Sequence, residues 1–283
     1  MYVCPDCKTP LEETYCQKCH HRYLSMDGIP ILLSRDPKFQ DAMRISAAYD
    51  SIYGKERNVW QSQGRTTPEF VNYFSSLLGQ RKGARFLEIG CGEGFLLASL
   101  SVGEKFAVDV SIEAIKAAQT RTEGHFSVAL AERLPFPDEY FDLVASVGVM
   151  EHFLNDKAAT REIKRILKSG GHYVALIDVN LTFWERLRLK FSEYVFPRPR
   201  PIQLGRWLRT KLALIMKKQE IRQLLPRQPV QNQYTTRSGK ACLQKSGLKV
   251  IDIIHTRKHP ELPLIGHFVV IYVAQKWRVP DAM

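Results

Sequence analysis

The sequence contains no run of about 18 apolar residues, so it offers no candidate for a membrane-spanning helix. Its start, Met1-Tyr2-Val3-Cys4-Pro5, has no apolar signal core, and the expectation is a cytoplasmic protein. Cysteine is scarce. Of six in 283 residues, four sit in two C-x-x-C pairs, and Cys91 and Cys242 stand alone. That usage speaks against a disulfide framework. Acidic residues are missing from one region in particular. Between Leu181 and Lys240 fourteen Lys and Arg face only Glu185, Glu193 and Glu220, so this segment carries nearly all of the net charge of +12. Elsewhere, 45% hydrophobic and 25% charged residues suit one full α/β domain with appendages.

Two further absences sit in the most informative stretch, Arg85-Phe86-Leu87-Glu88-Ile89-Gly90-Cys91-Gly92-Glu93-Gly94-Phe95. It reads as a short apolar strand, a glycine turn and a helix from Phe95 to Leu100. The turn lacks the third glycine of G-x-G-x-x-G and the Lys and Ser/Thr of a P-loop. Alternate glycines still let a ligand lie against bare backbone. The N–H groups opening the helix face it. Glu88 at the strand end would repel phosphate and suit an ammonium or sulfonium.

The segments beyond this turn come in a fixed order. Lys105 to Ser111 reads as a second strand ending in Asp109, about 20 residues after the first loop, where an acid accepts hydrogen bonds from ribose hydroxyls. Then come Ala131-Glu132-Arg133-Leu134-Pro135-Phe136, a strand Phe141–Ser146, and Val149-Met150-Glu151-His152-Phe153. A helix from Lys157 to Leu167 stops at Lys168-Ser169-Gly170-Gly171, and a strand runs on from His172 to Ile177. In these pieces the chain resembles the class I S-adenosylmethionine-dependent methyltransferases, over roughly residues 45 to 180. The LPF, MEHF and KSGG pieces look most like the subgroup that includes quinone-biosynthesis and other small-molecule enzymes.

The resemblance implies a Rossmann-like, doubly wound α/β fold with a seven-stranded sheet, and S-adenosyl-L-methionine as cofactor. It assigns Gly90, Gly92 and Gly94 to the methionine part, Glu88 to its amino group and Asp109 to the ribose. Glu132, with Arg133 beside it, borders the adenine, and Ser146 lends backbone near the methionine. Tyr49, within Tyr49-Asp50-Ser51-Ile52-Tyr53 on an amphipathic helix, either closes over the cofactor or packs in the helix face; Trp60 is ambiguous in the same way. His152 is the candidate catalytic base, its ordinary pKa being suited to proton transfer near neutrality; the alternative is that Glu151 and His152 shape the pocket. The Asn/Asp-Pro-Pro-aromatic motif of adenine and cytosine N-methylating relatives is absent, the place reading Ser146-Val147-Gly148-Val149.

Residues 1–34 form a separate unit. Eight residues separate the pair Cys4 and Cys7 from the pair Cys16 and Cys19, two knuckles that place four thiolates tetrahedrally, the geometry of structural zinc. Arg22 to Leu33 then reads as two short strands around Asp27-Gly28. The unit resembles the zinc ribbons found in or beside several methyltransferases. Residues 34–44 are expected to link it to the methyltransferase domain, 35–283, and chelation is expected to unfold this module alone.

Within that domain, 181–237 reads as a basic helical insertion on the acceptor side, ahead of a helix Ser238–Ser246 and two hairpin strands, Leu248–Ile254 and His267–Gln275. Trp184, Leu187 and Phe191, then Leu204, Trp207, Leu208 and Leu212, recur at helical spacing, with prolines between. Three readings stand: a solvated cap, a surface for an anionic membrane or lipid-linked substrate, or an RNA surface. The leading functional expectation is methyl transfer to a small hydrophobic or lipid-linked metabolite by a cytoplasmic or membrane-peripheral enzyme. The alternative is an rRNA or tRNA base methyltransferase using ribbon and insertion to hold RNA. A binding protein that has lost catalysis is the third.

Overall fold

Alternation of side chains across the strands builds the architecture. In β5 (Arg85–Ile89), Leu87 and Ile89 enter one hydrophobic cluster and Phe86 the other. In β6 (Glu104–Asp109), Phe106 and Val108 face the first cluster and Ala107 the second. Strands apolar on both faces must be covered on both. This computed structural model describes residues 2–55, 68–78, 82–180, 229–257 and 268–277. Trp60 and residues 181–228 of the basic insertion, with the helices expected there, lie outside the described residues.

The remaining strands of the main sheet are β3 (Leu24–Met26), β4 (Ile29–Ile31), β7 (His125–Val128), β8 (Phe141–Val147), β9 (Leu167–Val179), β10 (Leu248–Arg257) and β11 (Phe268–Lys276). Their order is β10-β11-β9-β8-β5-β6-β7-β4-β3. From β7 to β9 the pairings are parallel, and β11 runs antiparallel to both β9 and β10. One face is covered by α5 (Asp156–Ile166) and α6 (Thr236–Lys245), through Ile163, Ile166 and Leu243. The other is covered by α2 (Pro68–Leu78), α3 (Phe95–Ser99) and α4 (Ile112–Gln119), through Phe74, Leu97 and Ile115. The expected doubly wound, seven-stranded sheet is present as the body of a nine-stranded one.

The two extra strands come from the N-terminal unit. Asp27 and Gly28 both have positive φ, 53° and 78°, as a two-residue hairpin turn of the primed kind requires. β3 and β4 therefore form a hairpin, and β4 continues the sheet in parallel beside β7, with Ile31 opposite Val128. Leu32 N–H donates to the Val128 carbonyl at 2.7 Å. Ile29, Leu33, Phe39 and Ala42 belong to the core cluster beneath α4. Residues 34–44, the expected link, include a short 3-10 turn, Pro37–Phe39, and the start of α1 (Ala42–Lys55).

Two boundaries differ for local reasons. β9 begins at Leu167, which pairs with Phe141, and the register shifts before Leu143 pairs with His172. The helix ends before Lys168-Ser169-Gly170-Gly171 as expected, but the stretch is itself a kink inside the strand, with Gly170 at φ 76°. α6 starts at Thr236 because Thr235 and Ser238 cap it reciprocally.

Candidate functional site

The carboxyl ends of β5, β6 and β8 meet at the place where ligands bind in open parallel sheets. β5 runs into Gly90, Gly92 and Gly94, whose φ values are 65°, 49° and 75°. Each glycine is required differently. A Cβ on Gly90 would run into the side chain of Val149, and one on Gly94 would lie 2.9 Å from Cβ of Ala118 and 3.1 Å from its Cα. A Cβ on Gly92 would meet only the Tyr53 hydroxyl, 3.1 Å away, and otherwise the tip of that ring. Gly90 and Gly94 thus allow close packing, whereas Gly92 keeps a backbone surface open beneath Tyr53.

Two buried carboxyls flank the loop. Glu88 is 3% exposed, and its Oε2 accepts the Leu97 N–H at 3.0 Å. It therefore caps α3, whose N-cap residue Gly94 has no side chain to do so. Burial pushes its pKa up to about 8, against the pull of that hydrogen bond. Asp109 accepts Gly92 N–H through Oδ2 at 2.9 Å and Ser111 N–H through Oδ1 at 3.0 Å. Burial raises its pKa to about 6, despite these bonds. A group that is costly to ionise in a dry site becomes cheap to ionise when a cation arrives. Two raised acids beside a backbone cradle thus suit a ligand bearing positive charge and hydroxyls.

α1 lies against this region. Asp50 Oδ1 accepts Ser111 Oγ–H at 2.6 Å and Glu113 N–H at 3.3 Å, tying α1 to the N-terminus of α4. Tyr49, the residue before Asp50, lies near Asp109, and Tyr53, about one turn after, lies over Gly92. Burial, with the charges of Asp109 and Glu151 nearby, raises the Tyr49 phenol well above its ordinary value. Tyr53 and Asp50 were not among the expected site residues. The i,i+4 spacing of Tyr53 from Tyr49 on one helix was the available signal for Tyr53.

Two expected residues, Glu132 and Arg133, engage their side chains with other elements, and Ser146, expected to lend backbone, turns its side chain into the sheet. Glu132 is 3% exposed, and its Oε1 accepts the Asn155 N–H at 3.1 Å, holding the start of α5. Burial raises its pKa. Arg133 donates to Asp36 Oδ2 at 2.6 Å and lies over the Phe39 ring, facing the N-terminal unit. Ser146 Oγ is 2.7 Å from the Tyr173 hydroxyl, within the sheet.

Beyond β8, Met150–His152 forms a 3-10 turn, and residues 230–234 strap across it. Asn232 N–H donates to the Glu151 carbonyl at 2.6 Å, and Asn232 Nδ2 to the Phe153 carbonyl at 2.8 Å. His152 Nδ1 is 2.6 Å from the Val230 carbonyl. A carbonyl only accepts, so Nδ1 carries the proton and Nε2 holds the lone pair in the neutral ring.

In the N-terminal unit, β1 (Tyr15–Cys16) and β2 (His21–Arg22) pair and bring the knuckles together. The sulfurs of Cys4, Cys7, Cys16 and Cys19 all lie within 4.8 Å of one another. Cys7–Cys16 is 3.5 Å and Cys4–Cys19 3.9 Å. Four sulfurs about 2.3 Å from one zinc would stand ~3.8 Å apart, so the cluster fits tetrahedral zinc. The Tyr23 hydroxyl lies 3.2 Å from Cys4 Sγ and donates to Asp6 at 3.1 Å.

Residues 87–175 match a family model described as a methyltransferase domain. A stretch of 130 residues is 34% identical to the ubiquinone/menaquinone biosynthesis C-methyltransferase of Vibrio vulnificus, covering 42% of this chain and 50% of that protein. The chain thus spans about half the length of that curated relative. Among solved structures, the chain is similar to one from the complex between the Haloferax volcanii Trm112 methyltransferase activator and the putative methyltransferase. There the TM-score is 0.59 at 15% identity, over 84% of this chain and 100% of that one. It is also similar to phosphoethanolamine N-methyltransferase 2 of Haemonchus contortus in complex with S-adenosyl-L-methionine. That TM-score is 0.51 at 14% identity, over 75% of this chain and 53% of that one. The structural likenesses establish the fold, and within it residues 87–175 match the methyltransferase-domain model.

Proposed function

We propose that this chain is an S-adenosylmethionine-dependent methyltransferase acting on a small hydrophobic or lipid-linked metabolite. The observation that carries the cofactor reading is the pairing of Asp109 with the Gly92 backbone at the end of β6, beside buried Glu88. In this reading Glu88 receives the amino group, Asp109 the ribose hydroxyls, and the backbone of Gly90, Gly92 and Gly94 the methionine chain. Tyr49 and Tyr53 cover them from α1. Because the side chains of Glu132 and Arg133 are engaged elsewhere, residues 129–136 border the adenine with backbone and apolar groups. The backbone of Ser146 closes the methionine end. When bound, the cofactor supplies an electrophilic methyl group on a good leaving group.

Proximity and alignment then supply most of the catalysis, with a base where the acceptor must lose a proton. His152 is the base in this reading: the Val230 carbonyl holds its tautomer, directing the Nε2 lone pair to receive that proton. The name of the Vibrio relative, a quinone-biosynthesis C-methyltransferase, supports a lipophilic acceptor, as does the apolar spacing within 181–237. The N-terminal cluster holds zinc in a structural role.

The test is methyl transfer from radiolabelled S-adenosylmethionine into a cell extract of the source organism, split into an organic phase and an RNA fraction. Label is expected in the organic phase and lost in His152→Ala. Label confined to RNA would overturn the acceptor class. No binding of S-adenosylhomocysteine by the zinc-loaded protein would overturn the cofactor reading itself.

A further inference from the structure

The first cysteine knuckle grips the loop that leads away from Asp109. Residue 129 begins that loop, its N–H donating to the Asp109 carbonyl at 3.0 Å. At the far end three successive carbonyls are held from outside. That of Leu134 accepts from Lys8 Nζ at 3.1 Å and from Arg165 at 3.1 Å. That of Pro135 accepts from Val3 N–H at 3.0 Å. That of Phe136 accepts from Arg165 at 2.7 Å. Glu162 completes the set, bonding Lys8 at 2.7 Å and Arg165 at 2.8 Å.

Two of these holders belong to the knuckle itself. Val3 precedes Cys4, and Lys8 follows Cys7. Lys8 has φ 62°, a conformation a lysine rarely adopts. The knuckle turn imposes it, since Lys8 N–H donates to the Cys4 carbonyl at 2.9 Å. The pose that aims Nζ at Leu134 thus depends on the backbone that two of the four cysteines fold. Lys8 and Glu162 side chains are only 25% and 13% exposed, so this network is shielded enough for its geometry to matter.

We infer that Lys8 is a positioning residue for the cofactor loop, through which metal binding at the four cysteines and cofactor binding beside Asp109 are linked. This rests on the cofactor reading above. Linkage is reciprocal. Metal raises cofactor affinity by holding 134–136 in place, and bound cofactor raises metal affinity by the same factor, of order tenfold where coupling is typical; the ligand-bound network that holds the knuckle also retards its opening, so metal release slows.

The experiment uses the zinc-loaded full chain and Lys8→Met, which keeps the cysteines and most of the side-chain volume. Affinity for S-adenosylhomocysteine is measured by calorimetry. Zinc release to a chromogenic chelator is timed with and without S-adenosylhomocysteine. In the parent protein the ligand is expected to slow zinc release several-fold. Lys8→Met is expected to keep one zinc, bind the ligand several-fold more weakly, and release zinc at a rate the ligand no longer changes. Parent zinc release that ignores the ligand, or Lys8→Met with parental affinity, overturns the inference while leaving the cofactor reading intact. Failure of the zinc-loaded parent to bind S-adenosylhomocysteine overturns that reading and the inference together.

Discussion

Glu88 and Asp109 set the pH response of the candidate site. Their pKa values rise from 4.5 to about 8 and from 3.8 to about 6, each chiefly through burial. An acid with a raised folded-state pKa binds more protons folded than unfolded, so its contribution to stability is complete below the unfolded value and is lost as pH rises through the folded one. The ligand-free protein is therefore expected to lose stability from about pH 4 to about pH 8. A cationic ligand favours the ionised carboxylates, so its affinity is expected to rise between about pH 6 and pH 8, with proton release on binding. Calorimetry in buffers of differing ionisation enthalpy checks this, and Glu88→Gln should remove the upper part of the window. A flat affinity profile with no proton release would refute the assignment. The glycines separate in a second way. Gly94→Ala has backbone and Cβ of Ala118 in its path at φ 75°, and is expected to cost on order 1–3 kcal/mol of stability. Gly92→Ala meets only the tip of Tyr53 and should cost about 1–2 kcal/mol, with a larger effect on cofactor affinity than on unfolding.

Elements, more than residues, were readable in advance. Runs apolar on both faces, such as Phe86-Leu87 and Phe106-Ala107-Val108, declared the central strands. Glycine turns and an acid at fixed distance marked the ends where a site forms. The sequence was less informative about which way a polar side chain on such an element points. Glu132 sits at the expected place in the chain yet serves α5, because Asn155 offers an N–H that its buried carboxylate needs. The docking of α1 was also hidden, since Asp50 acts on Ser111, far away in sequence. That contact makes an element-level prediction. Asp50→Ala leaves Ser111 to cap α4 through Ala114 N–H, 3.2 Å away, so global unfolding should shift by only about 1 kcal/mol. It releases α1 and with it Tyr49 and Tyr53. S-adenosylhomocysteine affinity should fall several-fold, with faster hydrogen exchange in α1. Parental affinity would show that α1 does not cover the ligand.

At the scale of the molecule, the N-terminal unit is built into the main sheet. Reading 1–34 as a separate unit rested on its own pattern: two knuckles, then two short strands around Asp27-Gly28. Nothing local announces that Ile31 will lie beside Val128, because a single parallel pairing between distant segments leaves no periodicity in either. The consequence concerns stability. β4 covers the free edge of β7, Tyr2 O–H donates to the Phe126 carbonyl at 3.1 Å, and Ile29, Leu33 and Phe39 fill the core cluster that Ile115 and Phe126 share. Four cysteine thiolates brought together repel unless a cation neutralises them, so the knuckles lose their hold on one another without metal. Removing the metal should therefore loosen β3, β4, β7 and residues 129–136 together, lowering the denaturation midpoint of the whole chain. Hydrogen exchange with and without chelator checks this segment by segment. Protection lost from residues 2–23 alone, with 24–33 and 125–136 unchanged, would mean that the hairpin holds its place on β7 without metal, and the edge pairing would then have to be stable in its own right.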